Sequence, residues 1–223
     1  MVQGEETIKE AQGRARRVFA LLQKEYPEIR CTLDYGSPFQ LMVMTILAAQ
    51  CTDARVNIVA GPLFEQYPDP AAFCRAKLKD VEVAIHSTGF FRQKAKNIIA
   101  TSKILIEKHK GEVPTTLEEL TELPGVGRKT ANVLLGECFN TPGVIVDTHC
   151  GRLARRLGFT QAEEPRQVER DLMGVWPKKH WTGFSHMLVF HGRAVCASRS
   201  PKCELCSLRR HCPRTGLPQG TPK

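Results

Sequence analysis

Apolar residues recur with helical spacing along almost the whole chain. Val18, Leu21 and Leu22 begin the pattern, and residues 39–47 are apolar on nearly every side, which predicts a central helix starting at Pro38. The same spacing predicts further helices over residues 52–63, 78–85, 95–105, 116–123, 128–137, 147–157, 168–175 and 183–195. Residues 144–146 are only a short extended segment, and no stretch alternates convincingly as a strand does. The pattern therefore predicts an all-α protein without internal repeats.

Polar residues at the ends of these segments predict where the helices begin. Ser, Thr, Asp and Asn are the side chains that cap helix N-termini. The candidates are Thr52 or Asp53, Thr116 with Glu119 in a capping box, and Asp147 or Thr148. For helix 95–105, the pattern predicts that Lys96 and Lys103, and Lys94 just before it, lie on the polar side.

Composition and charge narrow the class of protein. The chain has 223 residues, of which 42% are hydrophobic and 25% charged, as in an ordinary globular protein. Its formal charge of +9 indicates a polyanionic partner, most simply a nucleic acid. No apolar run is long enough for a membrane span, and the acidic N-terminus does not have the pattern of a signal peptide. We therefore expect an intracellular protein in a reducing compartment.

The nine cysteines need an explanation other than disulfides in such a compartment. Four of them crowd together near the C-terminus, and their short spacing predicts a metal site. These four are Cys196, Cys203, Cys206 and Cys212. Only one Cys-x2-Cys pair is present, whereas a zinc ribbon usually has two, and the spacing also differs from bacterial ferredoxin motifs. The other five are predicted to be free, mostly buried thiols: Cys31, Cys51, Cys74, Cys138 and Cys150.

A glycine-containing turn joins the two helices on either side of residue 124. The segment LPGVGRKTAN, residues 123 to 132, lacks the third glycine of a dinucleotide-binding fingerprint and the Gly-Lys pair of a Walker loop. In the simplest interpretation it is a tight turn in which Gly125 and Gly127 both adopt positive φ. A sharper hypothesis is that bare backbone N–H groups and the next helix N-terminus together hold a DNA phosphate.

This segment resembles the helix-hairpin-helix of the endonuclease III family of base-excision glycosylases. The likeness continues with VDTH at residues 146–149, AAQCTD at 48–53, TGFF at 88–91, and HGR at 191–193 before the four cysteines. It covers roughly residues 15–213, and the motifs follow one another in the family's order. The resemblance implies two all-α domains with duplex DNA bound in the cleft.

The resemblance also implies the catalytic residues. Lys129 would attack the sugar carbon that bears the damaged base, form a Schiff base and cut the strand by β-elimination. At a helix N-terminus the dipole disfavours a charged ammonium group, and a nucleophile must be a neutral amine. Asp147, besides capping a helix, would stabilise the developing positive charge or relay a proton.

DNA contacts are implied at several further positions. Gln50 would fill the gap left by a flipped nucleotide, and Phe90 would be the wedge, where the family often has leucine. His149 is expected to have a structural role within the site, and His186 and His191 to be packing residues. The other expected DNA contacts are Gly125, Gly127, Arg128, Thr130, Arg199 and Lys202.

The four-cysteine spacing coincides with that of the family, which implies a [4Fe–4S] cluster rather than zinc.

The resemblance also implies the domain organisation. Residues 31–141 would form a six-helix domain with the hairpin, and residues 1–30 with 142–213 would form the cluster domain. Residues 214–223 are expected to be a flexible tail. The expected protein is a cytoplasmic, nucleoid-associated monomer that removes oxidised pyrimidines from double-stranded DNA. The alternatives are a monofunctional adenine or mismatch-uracil glycosylase and a non-catalytic, metal-stapled DNA-binding module.

Overall fold

The computed structural model describes residues 6–29 and 31–217, and this part of the chain holds eleven α-helices and no strand. The predicted all-α fold is thus confirmed. The helices are α1 (Ile8–Glu25), α2 (Pro38–Leu47), α3 (Asp53–Gln66), α4 (Pro70–Arg75), α5 (Leu78–Ala84), α6 (Phe91–His109), α7 (Leu117–Glu122), α8 (Arg128–Cys138), α9 (Thr148–Arg156), α10 (Pro165–Val175) and α11 (Trp181–Ala194). Short 3₁₀ turns occur at His86–Thr88, Lys178–His180, Cys203–Leu205 and Arg209–His211.

Contacts divide the chain into two compact units. One, the continuous unit, is Cys31–Thr141, and the other, the discontinuous unit, combines Met1–Arg30 with Pro142–Lys223. The continuous unit has seven α-helices in its described residues, and the short α4 is the one that the apolar spacing did not predict. Of the predicted tail, residues 218–223 lie outside the described residues.

Helix α2 supplies much of the core of the continuous unit. Of its ten residues, seven are buried, as expected for a helix that is apolar on all sides. Ser37 caps it, and Pro38 occupies its first turn. In the discontinuous unit, α1, α9, α10 and α11 bury one shared core, which includes Val18, Leu153 and Phe184.

The predicted caps are found with small differences. The Thr52 side chain caps α3, so that Asp53 is the first helical residue, and Asp147 caps α9. Thr116 caps α7 by accepting the Glu119 N–H. In the predicted capping box the Glu119 carboxylate would in turn accept the Thr116 backbone N–H, but here it accepts a different donor. The Thr116 hydroxyl donates to the Glu119 carboxylate at 2.6 Å.

Helix α6 begins four residues before the predicted start, and this changes the place of Lys94. The sequence pattern predicts that Lys94 lies on a polar helix face, but it is 4% exposed. The prediction was wrong because the neighbouring loops fold over this first turn, which helical spacing does not reveal. No helix in the described ranges is long and apolar enough to cross a membrane.

Candidate functional site

The turn between α7 and α8 is held by apolar residues on one side and by α6 on the other. Val126, at the tip, is buried, and its N–H donates to the Leu123 carbonyl at 3.0 Å. The Thr101 hydroxyl of α6 donates to the Pro124 carbonyl at 2.8 Å. Gly125 has φ +83, and a Cβ there would lie 2.8 Å from Asn97 Nδ2. Both the backbone conformation and the space therefore require glycine at this position.

Gly127 has a different role from the one predicted. Its φ is −84 and its ψ is 171, so it does not supply positive φ, and that prediction was wrong. It is the N-cap of α8, and no side chain makes a capping hydrogen bond there within the described residues. A Cβ on Gly127 would have no atom within 4 Å. The N-terminus of α8 is therefore open to an approaching anion, which the helix dipole favours.

Lys129 is the second residue of α8 and is exposed. The helix has no acidic residue in its first turn, so nothing in that turn offsets the positive end of the dipole. Behind the exposed turn, Ala131, Leu134 and Leu135 are buried. Lys129 thus stands on a helix that the core holds in place, beside exposed Arg128.

Gln50 and Phe90 both have exposed side chains and a strained backbone. Their φ values are 55 and 48, in the left-handed region that non-glycine residues rarely adopt. Phe90 is 66% exposed, although it is a large apolar side chain. Each residue follows a helix end by two or three positions, Leu47 of α2 and Thr88 of the 3₁₀ turn. The structure thus presents both predicted strand-opening residues on short, folded loops.

Lys94 connects these two loops, and the sequence pattern did not identify it. Its Nζ donates to the Leu47 carbonyl at 2.8 Å and to the Thr88 carbonyl at 2.9 Å. Burial lowers the pKa of the Lys94 ammonium group. The only feature of the sequence that could have indicated this connection is the position of the lysine, four residues after Phe90.

Asp147 lies in the discontinuous unit, at the N-terminus of α9. Its Oδ1 accepts a hydrogen bond from the Cys150 N–H at 2.7 Å, and the carboxylate is half-buried. The preceding segment is held by the Ile145 N–H, which donates to Ser185 Oγ at 3.0 Å. The carboxylate is therefore fixed in orientation by both the helix and the segment before it.

His149 is fixed by Arg152 in the same unit. Arg152 Nη2 lies 3.1 Å from His149 Nδ1, and it also donates to the Gly192 and Cys196 carbonyls. Burial lowers the pKa of His149, against the nearby Asp147 charge. The contacts with Arg152 and with the Gly192 backbone hold the imidazole ring in place.

The four C-terminal cysteines occupy the loop after α11. All four are free thiols and half-buried, and Cys196, Cys206 and Cys212 pack against the core of this unit. Arg156, which is 5% exposed, donates to Cys196 Sγ at 3.2 Å and to the Ala197 and Ser198 carbonyls at 2.7 Å. His191 Nε2 lies 3.2 Å from Cys206 Sγ.

Burial and neighbouring cysteines raise the pKa of two thiols in this loop. Burial, followed by the charges of Cys196, Cys212 and Cys203, raises the pKa of Cys206 to about 11. Burial, followed by the charges of Cys196 and Cys203, raises the pKa of Cys212. In the described residues, no group of three or more His, Cys, Asp or Glu side chains converges as the ligands of a metal ion. Arg199 and Lys202 lie exposed on this loop.

The remaining cysteines differ from the prediction. All five are free, but only Cys150 is buried and the other four are half-buried, so the expectation of mostly buried thiols was wrong. Apolar neighbours in sequence did not place these side chains in the core, because Cys31 and Cys51 lie outside the helices, and Cys74 and Cys138 lie at the C-terminal ends of α4 and α8. The two histidines predicted to be packing residues differ from each other in burial. His191 is buried, whereas His186 is half-buried.

The site residues divide between the two units. Gln50, Phe90, Gly125, Gly127, Arg128, Lys129 and Thr130 lie in the continuous unit, and α6 contacts the segments that carry them. Asp147, His149, the four cysteines, Arg199 and Lys202 lie in the discontinuous unit.

Comparison with known proteins gives consistent matches. A sequence profile of the HhH-GPD superfamily, described as base excision DNA repair proteins, matches residues 43–178. Endonuclease III of Synechocystis sp. is 51% identical over 201 residues, 90% of this chain and 92% of that protein. Endonuclease III of Bacillus subtilis is 43% identical over 188 residues, 84% and 86% of the two chains. A solved structure of a trapped endonuclease III–DNA covalent intermediate, an estranged-adenine complex, has a TM-score of 0.87 at 40% identity and covers 91% of this chain and 96% of that one.

Proposed function

We propose the function of this chain from one premise, that it belongs to the endonuclease III family of the HhH-GPD superfamily of base excision DNA repair proteins. It is a DNA N-glycosylase with abasic-site lyase activity, and its substrate is duplex DNA that contains oxidised pyrimidines. The observation that carries this proposal is Lys129, an exposed amine in the first turn of α8 beside an uncapped helix N-terminus.

Lys129 is the nucleophile in the proposed reaction. Its neutral Nζ attacks the anomeric carbon of the damaged nucleotide, the N-glycosidic bond breaks, and the base leaves with the bonding electrons and takes up a proton. The attached amine then loses one proton to Asp147 or solvent, the C–O bond of the sugar ring breaks and its oxygen takes up a proton, and the nitrogen lone pair forms the C=N bond of a protonated Schiff base. Loss of a proton from the next sugar carbon then expels the 3′ phosphate by β-elimination, and water releases the enzyme.

Asp147 serves the same reaction as a fixed carboxylate. Its bond to the Cys150 N–H keeps it oriented, and its charge stabilises positive charge that develops on the sugar or accepts a proton from the amine. Asp147 and Lys129 belong to different units, so their joint action is supported by family membership.

The open end of α8 holds the DNA backbone. A phosphate near Gly127 meets the N-terminal N–H groups of α8 and the positive end of its dipole, and a Cβ on Gly127 would have no atom of the described residues within 4 Å. Arg128 and Thr130 flank this position, and His149, Arg199 and Lys202 contact DNA from the other unit. Gln50 and Phe90 enter the duplex where a nucleotide has been flipped out.

Cys196, Cys203, Cys206 and Cys212 hold a [4Fe–4S] cluster in this proposal. Members of the family carry such a cluster. The donor set fits it, because four thiols lie close together on one loop, and burial and neighbouring cysteines raise the pKa of the Cys206 and Cys212 thiols, which metal binding would deprotonate. Side chains that approach sulfur, Arg156 and His191, also suit an iron–sulfur site. When bound, the cluster would cross-link the loop through these four thiolates, and no step of base removal passes through it.

Borohydride trapping tests the Lys129 assignment. Borohydride reduces the Schiff base to a stable amine, so the wild-type protein should become covalently attached to oxidised-pyrimidine duplexes. Lys129→Gln should give no adduct, whereas Lys79→Gln, at an exposed lysine of α5, should trap as the wild type does.

Other results of the trapping experiment would point to a different nucleophile or to a different function. Undiminished trapping by Lys129→Gln would overturn the assignment of the nucleophile. Base release without trapping by the wild type would favour a monofunctional glycosylase, and binding without base release would favour a non-catalytic DNA-binding module. A panel of duplexes with different lesions defines the excised base.

A further inference from the structure

A buried lysine at the start of α6 is not used by the reaction proposed above. Lys94 lies in the first turn of α6, where the helix dipole disfavours a cation, and the turn has no acidic residue. Among the described residues, Lys94 Nζ donates to two backbone carbonyls, those of Leu47 and Thr88. Burying an amine in this way is unfavourable unless its donors are satisfied, so these two acceptors are what keeps the lysine at this position.

Those two carbonyls are both at helix ends. Leu47 is the last residue of α2, and Thr88 is the last residue of the 3₁₀ turn. The final carbonyls of a helix have no partner in the helix, and a lysine is a favourable donor to them. Either protonation state of Nζ has enough N–H groups for two acceptors. One nitrogen atom therefore joins two helix C-termini that are far apart in sequence.

The strand-opening residues follow these two ends directly. Gln50 comes three residues after Leu47, and Phe90 comes two residues after Thr88. Both have left-handed backbones, which persist only where the surroundings hold them. Because the segments before them are bonded to the same Nζ, neither loop can shift against the other without breaking a buried hydrogen bond.

The same face of α6 also holds the hairpin. Asn97 and Thr101 follow Lys94 by three and seven residues, which places all three on one side of the helix. Asn97 packs against Gly125, and Thr101 bonds to the Pro124 carbonyl. One helix face thus fixes both loops and the hairpin in one frame.

We propose that Lys94 is a positioning residue, which locks the Gln50 loop to the Phe90 loop so that their two side chains enter the duplex together. This inference rests on the proposed glycosylase function. Lys94 itself contacts neither the base nor the sugar; it acts through the two loops. Its loss should impair nucleotide flipping and leave the chemistry of Lys129 intact.

Lys94→Met tests this inference, because methionine retains much of the apolar stem and removes the donors. The matched control is Lys79→Met at an exposed position. Single-turnover base excision from an oxidised-pyrimidine duplex should fall about 10²-fold in Lys94→Met, as expected for misplaced positioning groups. Fluorescence of a base analogue next to the lesion should show less duplex opening. Cleavage at a preformed abasic site in single-stranded DNA needs no flipping, and it should match the control.

A double-mutant comparison separates positioning from general destabilisation. In a Gln50→Ala, Phe90→Ala background the loops have no strand-opening side chains left, so Lys94→Met should produce no further decrease in excision. If Lys94→Met folds poorly, Lys94→Gln, which is shorter and keeps an N–H donor, should give an intermediate rate on the duplex.

Two results would overturn the inference. One is excision by Lys94→Met or Lys94→Gln equal to that of the control. The other is a Lys94→Met variant that cleaves single-stranded abasic sites as much more slowly than the control as it excises bases from duplexes. In this case Lys94→Met would also reduce excision fully in the Gln50→Ala, Phe90→Ala background. Failure of the proposed function is distinguishable from both, because the wild type itself would then neither excise nor trap.

Discussion

At the N-terminus of α9, the Asp147 carboxylate accepts the Cys150 N–H and also carries the negative charge assigned to catalysis. Capping needs only a side-chain oxygen, whereas stabilising an oxocarbenium-like sugar needs the charge. Because asparagine caps helices about as well as aspartate does, one substitution can remove the charge and retain the cap. Asp147 is therefore the residue at which structure and chemistry can be separated most directly.

Asp147→Asn should slow single-turnover base excision by about 10²-fold or more, the usual contribution of a positioned acid–base group. Its free energy of unfolding, measured in urea, should stay close to that of the wild type. Asp147→Ala should lose both functions, with a decrease of about 0.5–2 kcal/mol in unfolding free energy from the missing cap. Full activity in Asp147→Asn would show that the carboxylate acts only as a helix cap.

At the scale of elements, the hairpin between α7 and α8 depends on two glycines for different reasons. Gly125 needs its positive φ and its close approach to Asn97, whereas Gly127 has an ordinary backbone and open space before it. The first glycine is required by the fold of the turn. The second leaves room for a ligand at the helix N-terminus.

Gly125→Ala should reduce the unfolding free energy by about 2–4 kcal/mol, since it combines a left-handed alanine with overpacking against Asn97. Gly127→Ala should change stability by about 1 kcal/mol or less, because only the cap preference is removed. Its added methyl group should still weaken binding to undamaged duplex DNA, as measured by fluorescence anisotropy. Unchanged affinity in Gly127→Ala would argue against a phosphate at this position.

The sequence predicted local features well and tertiary features poorly. Apolar spacing and caps such as Thr52 depend on neighbours within one helix, so α2, α3 and α9 were predicted close to their observed bounds. The burial of Lys94 depends on two loops that are far from it in sequence, and spacing within α6 cannot show them. Gly125 and Gly127 look alike in the sequence, and only the folded turn distinguishes them.

The candidate site was predicted mainly through motifs. The hairpin, the VDTH segment and the cysteine spacing identified the family, which sequence matches then established. Individual roles for Lys129, Gln50 and Phe90 remain predictions, since they depend on bound DNA. Neither Arg156 nor Arg152 was identified, because their hydrogen bonds to the cysteine loop join positions about 40 residues apart.

For the whole molecule, the positive charge and the cysteine loop are connected. The net charge of +9 suits a protein that binds the DNA backbone, and Arg199 and Lys202 place two cations on the loop that the cluster would cross-link. In the described part of this loop, regular structure is limited to two 3₁₀ turns of three residues each. Its order should therefore depend on metal binding, as it does in small metal-stapled domains.

The purified protein should show the broad visible absorption of an iron–sulfur cluster, with iron and acid-labile sulfide in equal amounts, neither of which zinc would give. Oxidative removal of the iron with a chelator should disorder the loop and weaken binding to undamaged DNA. It should also reduce the slope of log affinity against log salt by about 0.9 for each phosphate that the protein no longer neutralises. An Arg199→Ala, Lys202→Ala variant is the matched control, because its slope should fall by the same amount while its visible absorption is retained. If removing the iron left affinity and slope unchanged, the loop would not be a cluster-dependent DNA-binding element.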